Sequence, residues 1–240
     1  LGELEIKMPE AQDKKCFCIS SQEVNKGRLD CYYYQPKFRV IKKALKAGKY
    51  KIVKLKDILA NVKKGVEVGS NAYIAEGIPF VRVSDIDDFN ISFDTDKKIS
   101  LELYQQLKSG YKPEIGELLY SKDGSIGFCV AVEENKDFIV SGGILRLKVK
   151  KENNNYYIKT ILSSRVFKTL AEHKSIGAII KHLLPEELLD FEIPLPPLEN
   201  QEKIVKEIKK RIAQADKLNL EAKNEIEKAK QEVEKIILGK

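Results

Sequence analysis

The pattern of apolar positions first becomes regular between Pro36 and Gly48. Phe38, Ile41 and Leu45 are spaced three and four residues apart. Because an α-helix has about 3.6 residues per turn, this spacing places all three on one face of a helix. Proline is favoured in the first turn of a helix and glycine just after its end. The sequence therefore predicts a short helix here, after an irregular N-terminal segment.

Beyond this helix the pattern changes to short runs rich in branched residues, broken by Gly and Asp. The run "YKIVKLKDIL" is followed by "IPFVRVSDI" at Ile78–Ile86. Gly116–Glu134 reads as strand, glycine turn and strand, and Asp137–Lys150 reads as two strands around Ser141-Gly142-Gly143. Such runs predict a compact, partly antiparallel β domain. Helical spacing then returns over Asn153–His173, with an Asn near its start that can cap the helix.

The stretch from Pro194 to Lys240 contains no glycine before Gly239 and no proline after Pro197. It predicts one helix of about 40 residues, near 60 Å long. The average globular helix has about 11–12 residues, so a helix of this length requires a separate explanation.

Apolar residues repeat within this helix at the heptad spacing of a coiled coil. With Val205 at position a, the a and d positions in chain order are Val205, Ile208, Ile212, Ala215, Asn219, Ala222, Ile226, Ala229, Val233 and Ile236. The successive alanines at d allow two backbones to approach closely, and a polar residue such as Asn219 at a central a position fixes register. We therefore expect a partner helix. The alternative is a single amphipathic helix packed on its own domain.

Composition adds a charge argument. Of 240 residues 33% are charged, and the net charge is +7. The segment 141–185 holds nine Lys or Arg against two Glu, a local net of +7. A local cationic excess suits binding to a phosphate backbone. The competing interpretation is a solvated lysine-rich surface.

Two glycine-containing stretches carry candidate binding chemistry. "SKDGSIG" places a lysine, a serine and backbone N–H groups around glycines, which permit close approach of a ligand to the backbone. "HKSIGAIIKHL" adds further cations within the basic segment. The candidate DNA-binding residues are Lys122, Asp123, Gly124, Ser125, Gly127, Arg146, Lys174, Ser175, Gly177 and Lys181. For the first stretch an ordinary hairpin turn is the alternative.

Most catalytic and metal-binding patterns are absent from the sequence. Asp87 with Asp96-Lys97-Lys98 mimics the acid…acid-x-Lys metal site of a nuclease, but a solvated loop or hairpin is the favoured interpretation of this charged run. The sequence contains no Walker loop, G-x-S-x-G or H-E-x-x-H motif. The cysteines do not form a CxxC pair, and His173 and His182 lie far from them, which is a poor zinc pattern. We therefore expect neither catalytic residues nor a metal site, and we expect reduced thiols in a cytoplasm. There is also no apolar run near 18 residues in length, so we expect no membrane span.

These segments, in this order, resemble the specificity subunit of type I restriction–modification systems, or the matching module of fused restriction enzymes. The resemblance rests on "KIVKLKDIL", "IPFVRVSDI", "GELLYSKDGSIGFCVAV", "YYIKTILSS" and "SIGAIIKHLLPEELLDFEIPLPPLENQEKIV", and it covers about residues 49–240. The junction "IPLPPLENQEKIV" is its most specific part. "RLDCYYYQPKF" resembles the segment ahead of such domains.

The resemblance implies an α+β protein in which a mixed or antiparallel, β-rich target recognition domain precedes a long coiled-coil helix. The expected divisions are an N-terminal segment with a short helix at 1–48, the DNA-binding target recognition domain at 49–193, and a spacer and dimerisation helix at 194–240. In the family each recognition domain reads one half of a split double-stranded DNA site. The helices pair as a spacer and dock the DNA adenine methyltransferase subunits.

The same resemblance implies a non-catalytic chain. It would need no cofactor of its own, because S-adenosylmethionine would bind the partner methyltransferase, and a restriction and translocase subunit is a further possible partner. Family members carry two recognition domains and two helices. This chain is therefore either a half-subunit that pairs with a second copy or a fragment of a longer chain. The alternatives are the specificity module of a single-chain type II restriction–methylation enzyme and a coiled-coil assembly protein without specific DNA binding.

Overall fold

The computed structural model describes residues 18–24, 30–176 and 181–239. The chain forms two compact units, one ending at Pro196 and the other running from Pro197 to Lys240. The helices are α1 (Pro36–Ala47), α2 (Leu55–Ile58), α3 (Leu101–Tyr111), α4 (Asn155–Ser163), α5 (Arg165–Lys174), α6 (Pro185–Leu189) and α7 (Leu198–Ile237). The strands are β1 (Ile52–Lys54), β2 (Leu59–Lys64), β3 (Ile78–Val81), β4 (Lys98–Ile99), β5 (Leu118–Ser121), β6 (Cys129–Ala131), β7 (Ile139–Val140), β8 (Ile144–Val149) and β9 (Glu192–Pro194).

The largest sheet has four antiparallel strands in the order β2-β8-β5-β6. The strand–turn–strand prediction for 116–134 is confirmed, because β5 and β6 pair directly with Leu119 opposite Val130. The strand β8 pairs on its two sides with β5 and β2, and Leu147 lies opposite both Leu118 and Val62. This sheet carries the glycine loop between its edge strand β6 and its neighbour β5.

The smaller sheets give the domain its mixed character. A three-stranded sheet has the order β4-β3-β7, in which β3 and β7 are parallel, while β1 and β9 form an antiparallel pair. The predicted strands on either side of Ser141-Gly142-Gly143 exist, but they do not pair with each other. The strand β7 joins the smaller sheet and β8 joins the larger one, so this short turn links two sheets.

Among the described residues, two apolar clusters of the first unit lie against its sheets. One cluster includes Leu119, Val130 and Phe138 on one face of the larger sheet, and the other joins Phe80 and Ile139 to α3. Because side chains alternate across a strand, neighbours of Leu119 point to the opposite face. That face is also buried, and Leu118 and Tyr120 have no exposed surface.

The helices in the first unit differ in two ways from the sequence expectation. The helix α3 lies inside a region where the pattern indicated only strands, and Ser100 caps it by accepting the N–H of Leu103. The helical pattern over 153–173 is divided into α4 and α5 at Ser164, whose side chain caps α5. The predicted asparagine cap is confirmed at Asn154, which accepts the N–H of Tyr157.

The second unit is the helix α7, which spans 40 residues as the sequence predicted. Its surface carries ion pairs one turn apart, such as Glu207 with Arg211 at 2.8 Å. Every residue from 213 to 239 is exposed. The apolar side chains in this stretch therefore have no cover in the monomer.

Candidate nucleic-acid interface

The candidate site is a small antiparallel ladder beside the end of β5. Gly124 donates its backbone N–H to the carbonyl of Lys181 at 2.9 Å, and Leu183 donates its own to the carbonyl of Lys122 at 2.8 Å. These bonds join the loop after β5 to the segment 181–183. The structure thus brings together two stretches that the sequence marked separately as candidates for binding.

A third segment completes the ladder. Ile176 and His182 exchange backbone hydrogen bonds of 2.8 and 2.7 Å, so the segment after α5 lies on the other side of 181–183. Ile176 is 46% exposed and Leu184 is 47% exposed. We refer to residues 122–124, 176 and 181–183 as the loop ladder.

The glycine loop is closed by the last residue of β5. The hydroxyl of Ser121 donates to the carbonyl of Ser125 at 2.6 Å. Gly124 has a φ of 66° and Gly127 a φ of 97°. Residues other than glycine seldom adopt these backbone conformations. Gly124 and Ser125 are exposed, whereas Gly127 is buried with Lys168 packed against it. Of the two glycines, only Gly124 therefore lies where a ligand can approach it.

One carboxylate organises the charges of the loop ladder. Asp123 Oδ2 accepts a hydrogen bond from Nζ of Lys122 at 2.6 Å, and its Oδ1 lies 2.9 Å from Nδ1 of His182. Lys122 is only 8% exposed, but the His182 side chain is 51% exposed. Asp123 therefore neutralises the charge of Lys122 within the loop ladder, and the imidazole of His182 is accessible to solvent.

Lys181 supplies an exposed cation next to this imidazole. Its Nζ lies 5.7 Å from the centre of the Tyr32 ring, within the range of a cation–π contact. Burial, with a hydrogen bond from the Tyr32 hydroxyl to Glu172, raises the pKa of Tyr32. The tyrosine therefore stays neutral at physiological pH, with its ring beside the lysine.

Arg146 does not belong to this surface, which corrects the sequence-based assignment. It is 2% exposed, and its Nε and Nη2 lie 2.9 and 2.8 Å from Oε2 of Glu117. Its Nη1 donates to the carbonyl of Gly110 at 2.9 Å. A phosphate cannot reach this guanidinium in the folded domain, so its role is structural.

The candidates at the end of α5 are also engaged internally. Lys174 forms a 2.7 Å ion pair with Glu187. Ser175 is 6% exposed, and its hydroxyl donates to the carbonyl of Glu172 at the end of the helix. The remaining candidate, Gly177, lies outside the described residues. Of the predicted DNA-binding residues, Gly124, Ser125 and Lys181 are those that the structure exposes at the loop ladder.

The cationic excess of segment 141–185 does not form one continuous basic face. Carboxylates from other parts of the chain pair with its cations, namely Glu117 with Arg146, Glu114 with Lys148, Asp88 with Lys168 and Glu187 with Lys174. Among the described residues of this segment, Lys151, Arg165 and Lys181 are exposed and carry no ion pair. The usable positive charge is therefore smaller than the sequence count indicated.

His182 is the residue of the site that sequence reasoning missed. From the sequence, His182 was considered only as a metal ligand, because nothing there indicates its contact with Asp123, 59 positions away. No local pattern supplied the signal, because "IIKHLL" places apolar and polar residues in pairs and not in alternation. Across the described ranges no cluster of three or more His, Cys, Asp or Glu side chains could hold a metal ion.

The predicted seam of α7 becomes more exposed along the helix. Val205 is 8% exposed, whereas Ile226, Val233 and Ile236 are 58%, 54% and 78% exposed. Leu218 and Leu220, which lie outside the a and d positions, are exposed to a similar degree. Among the described helices, none combines the length and apolar character needed to cross a bilayer.

Comparison with known proteins identifies the family. The family model described as the type I restriction modification DNA specificity domain matches residues 47–228. The type I restriction enzyme EcoBI specificity subunit of Escherichia coli is 28% identical over 152 residues, covering 63% of this chain and 32% of that subunit. The putative type I restriction enzyme MjaX specificity subunit of Methanocaldococcus jannaschii is 32% identical over 168 residues, covering 65% and 38%. The chain thus spans only about a third of the length of these curated relatives.

A solved structure shares the fold. It belongs to work on complex assembly and conformational transition of the type I R-M system, and it matches with a TM-score of 0.52 at 18% identity. The match covers 75% of this chain and 43% of that one. Because the family model covers more than half of its residues, the chain belongs to the type I restriction–modification DNA specificity domain family.

Proposed function

We propose that this chain is a DNA sequence-recognition subunit of a type I restriction–modification system. In this proposal the domain through about residue 193 binds one half of a bipartite site in double-stranded DNA. The observation that carries it is the loop ladder, which joins two predicted binding loops on one exposed surface of a chain in this family.

The chemistry of the loop ladder suits contact with a duplex. Lys181 offers an exposed cation for a phosphate, and the hydroxyl of Ser125 can donate or accept. No heavy atom lies within 4 Å of the position that a Cβ would take at Gly124, so a sugar–phosphate chain can approach the backbone there. Contacts of this kind position a protein on DNA, whereas sequence is read from base edges.

In the same proposal the helix α7 sets the distance between two half-sites. Its exposed a and d positions would pair with a second copy or with the second helix of a longer chain, and the pair would dock the adenine methyltransferase subunits. If two copies pair by a two-fold axis, the two half-sites must be inverted repeats.

Catalysis is assigned to the partners. The methyltransferase would bind S-adenosylmethionine and methylate adenine, and a restriction and translocase subunit would act on unmodified DNA, all in the cytoplasm. This chain would supply the choice of sequence and no reacting group.

Mapping of N6-methyladenine by single-molecule sequencing tests this proposal. A host without related systems would express the partner methyltransferase with and without this chain. We expect a split motif that is methylated only when the chain is present, and a palindromic motif if two identical copies pair. Identical methylation in both strains, with an active methyltransferase, would favour the assembly-protein alternative, which also predicts no salt-dependent DNA binding.

A second candidate is the specificity module of a single-chain type II restriction–methylation enzyme. The segment "RLDCYYYQPKF", which resembles the sequence ahead of specificity domains, is compatible with this candidate as well as with the first. This segment runs into the start of α1, where the centres of the Phe38 and His173 rings lie 4.1 Å apart. Sequencing the coding region upstream distinguishes the two, since a methyltransferase domain in the same reading frame would select the single-chain enzyme.

A further inference from the structure

The loop ladder holds one imidazole in a defined orientation. Nδ1 of His182 lies 2.9 Å from Oδ1 of Asp123, while the other oxygen of that carboxylate is bonded to Lys122. In the described part of the chain, Nε2 of His182 has no hydrogen-bond partner, and the side chain is half exposed. The ring is therefore fixed at one nitrogen and open at the other.

This arrangement determines which nitrogen carries the hydrogen. A carboxylate held by a lysine can only accept hydrogen bonds, so Nδ1 of His182 must be the donor. In the neutral ring, Nε2 is then an acceptor. Lys122 and Asp123 are thus positioning residues, because they set the tautomer without facing the ligand.

An exposed acceptor selects among the groups that duplex DNA offers. Phosphate oxygens are acceptors, as are N7 and O6 of guanine and O4 of thymine, so none of them can bond to it. The exocyclic amino groups of adenine and cytosine are the donors on the major-groove edge. A neutral imidazole held in this tautomer therefore matches an adenine or a cytosine, and not a guanine, a thymine or a phosphate.

We propose that His182 is a specificity-determining residue whose Nε2 accepts a hydrogen bond from the amino group of one adenine or cytosine in the half-site. This inference rests on the proposed function, because it assumes that the loop ladder faces the major groove. It adds the position, the atom and the class of base that is read.

The tautomer can be measured without DNA. Long-range ¹H–¹⁵N spectra of the full chain, recorded as a pH series, distinguish a ring protonated at Nδ1 from one protonated at Nε2 and from the doubly protonated ring. We expect the Nδ1–H form in the native chain. In Asp123→Asn the amide can donate to Nδ1, so we expect a shift toward the Nε2–H form. A native chain in the Nε2–H form would overturn the inference.

The base contact is tested by deleting single amino groups from the DNA. The full chain with its methyltransferase partner would bind duplexes in which each adenine of the half-site is replaced by purine, or each cytosine by 2-pyrimidinone. We expect one position where the loss weakens binding by roughly 5- to 150-fold, the range for one good base contact. At that position His182→Ala should bind both duplexes equally, and His182→Phe, which keeps a ring without an acceptor, should do the same.

The control variant is Lys181→Ala, its neighbour in the loop ladder. It should lower affinity for all duplexes and keep the preference for the amino group. If His182→Ala and His182→Phe both retain the full preference of the native chain, the inference is wrong while the proposed function stands. If the native chain prefers no DNA sequence, the proposed function fails and this inference fails with it.

Discussion

At the scale of single residues, Arg146 and Glu117 form the most deeply buried ion pair that the described residues contain. Their side chains are 1% and 5% exposed, and the guanidinium also bonds to the carbonyl of Gly110. Taking one partner away from such a pair leaves a charge with neither water nor a counter-ion. The pair therefore holds β8 to the loop before β5, and α3 to both.

We expect Arg146→Ala to lower the free energy of unfolding by about 3–5 kcal/mol, the usual cost of breaking a buried pair. Urea denaturation followed by circular dichroism measures this change. The matched control is Lys148→Ala, because its pair with Glu114 is largely exposed on the same strand, and it should change stability little. The double change Arg146→Met with Glu117→Gln should recover most of the loss and keep DNA affinity. A loss of DNA affinity in the folded double variant would show that Arg146 contributes to DNA binding.

Two ionisable groups in the core favour the neutral form. Burial raises the pKa of the Cys129 thiol to about 12, from 9.0 in an unfolded chain, and it also raises the pKa of the Tyr120 hydroxyl, which lies opposite Cys129 on β5. Below pH 9 both states of the protein hold the thiol proton. Between about 9 and 12 only the unfolded state releases it, so stability falls as pH rises.

This sign gives an alkaline stability prediction. From about pH 9 upward for Cys129, and from about pH 10 upward for Tyr120, each pH unit should lower the free energy of unfolding by up to about 1.4 kcal/mol. Urea midpoints at about pH 8, 9 and 10 measure the slope, and in Cys129→Ala the slope should be shallower because the thiol term is gone. Equal slopes in the native chain and the variant would contradict the assignment to Cys129.

At the scale of elements, α7 carries a seam that its own chain leaves largely exposed. Ala222 occupies a d position in the middle of this seam, and Ala213 occupies a position outside it on the same helix. Both residues are exposed in the monomer, so a charge at either site should leave the isolated chain folded. The two alanines therefore form a matched pair that differs only in the proposed interface.

We expect Ala222→Glu to abolish self-association, because a carboxylate would be buried where two backbones approach closely. Ala213→Glu should associate like the native chain. Sedimentation equilibrium over a range of concentrations measures both. A native chain that stays monomeric would contradict pairing of two copies. Equal association of the two variants would show that the interface lies on another face of α7.

At the scale of the whole molecule, local signals predicted local structure. Helices α1 and α7, the β5–β6 hairpin and the Asn154 cap follow from periodicity, glycine placement and capping chemistry over a few residues. The short helix α3 was missed, because "SLELYQQLKSGY" has a cap but a weak apolar stripe beside strong β-like runs. Strand pairing was not predictable, since β7 and β8 are adjacent in sequence and join different sheets.

The candidate site follows the same division. The sequence identified both loops, since glycine, lysine and serine in short turns are local features. It could not show that Asp123 meets His182, or that Glu117 buries Arg146, because these contacts depend on the folded arrangement of distant segments. For the same reason, a count along the sequence overestimated the surface charge of 141–185, because carboxylates from distant segments pair with several of its cations.

This reduced charge leads to a prediction for the salt dependence of DNA binding. The logarithm of the binding constant falls with the logarithm of salt concentration by about 0.9 for each phosphate contacted by a cation. Lys181 is the exposed lysine of the loop ladder without an ion pair among the described residues. We therefore expect Lys181→Gln to make the slope shallower by about one, measured by fluorescence anisotropy with a cognate duplex at several salt concentrations. The control is Lys108→Gln, the same charge change on α3 outside the loop ladder. It should leave the slope unchanged, and an equal effect of both changes would mean that the domain binds DNA by its overall charge and not through this surface.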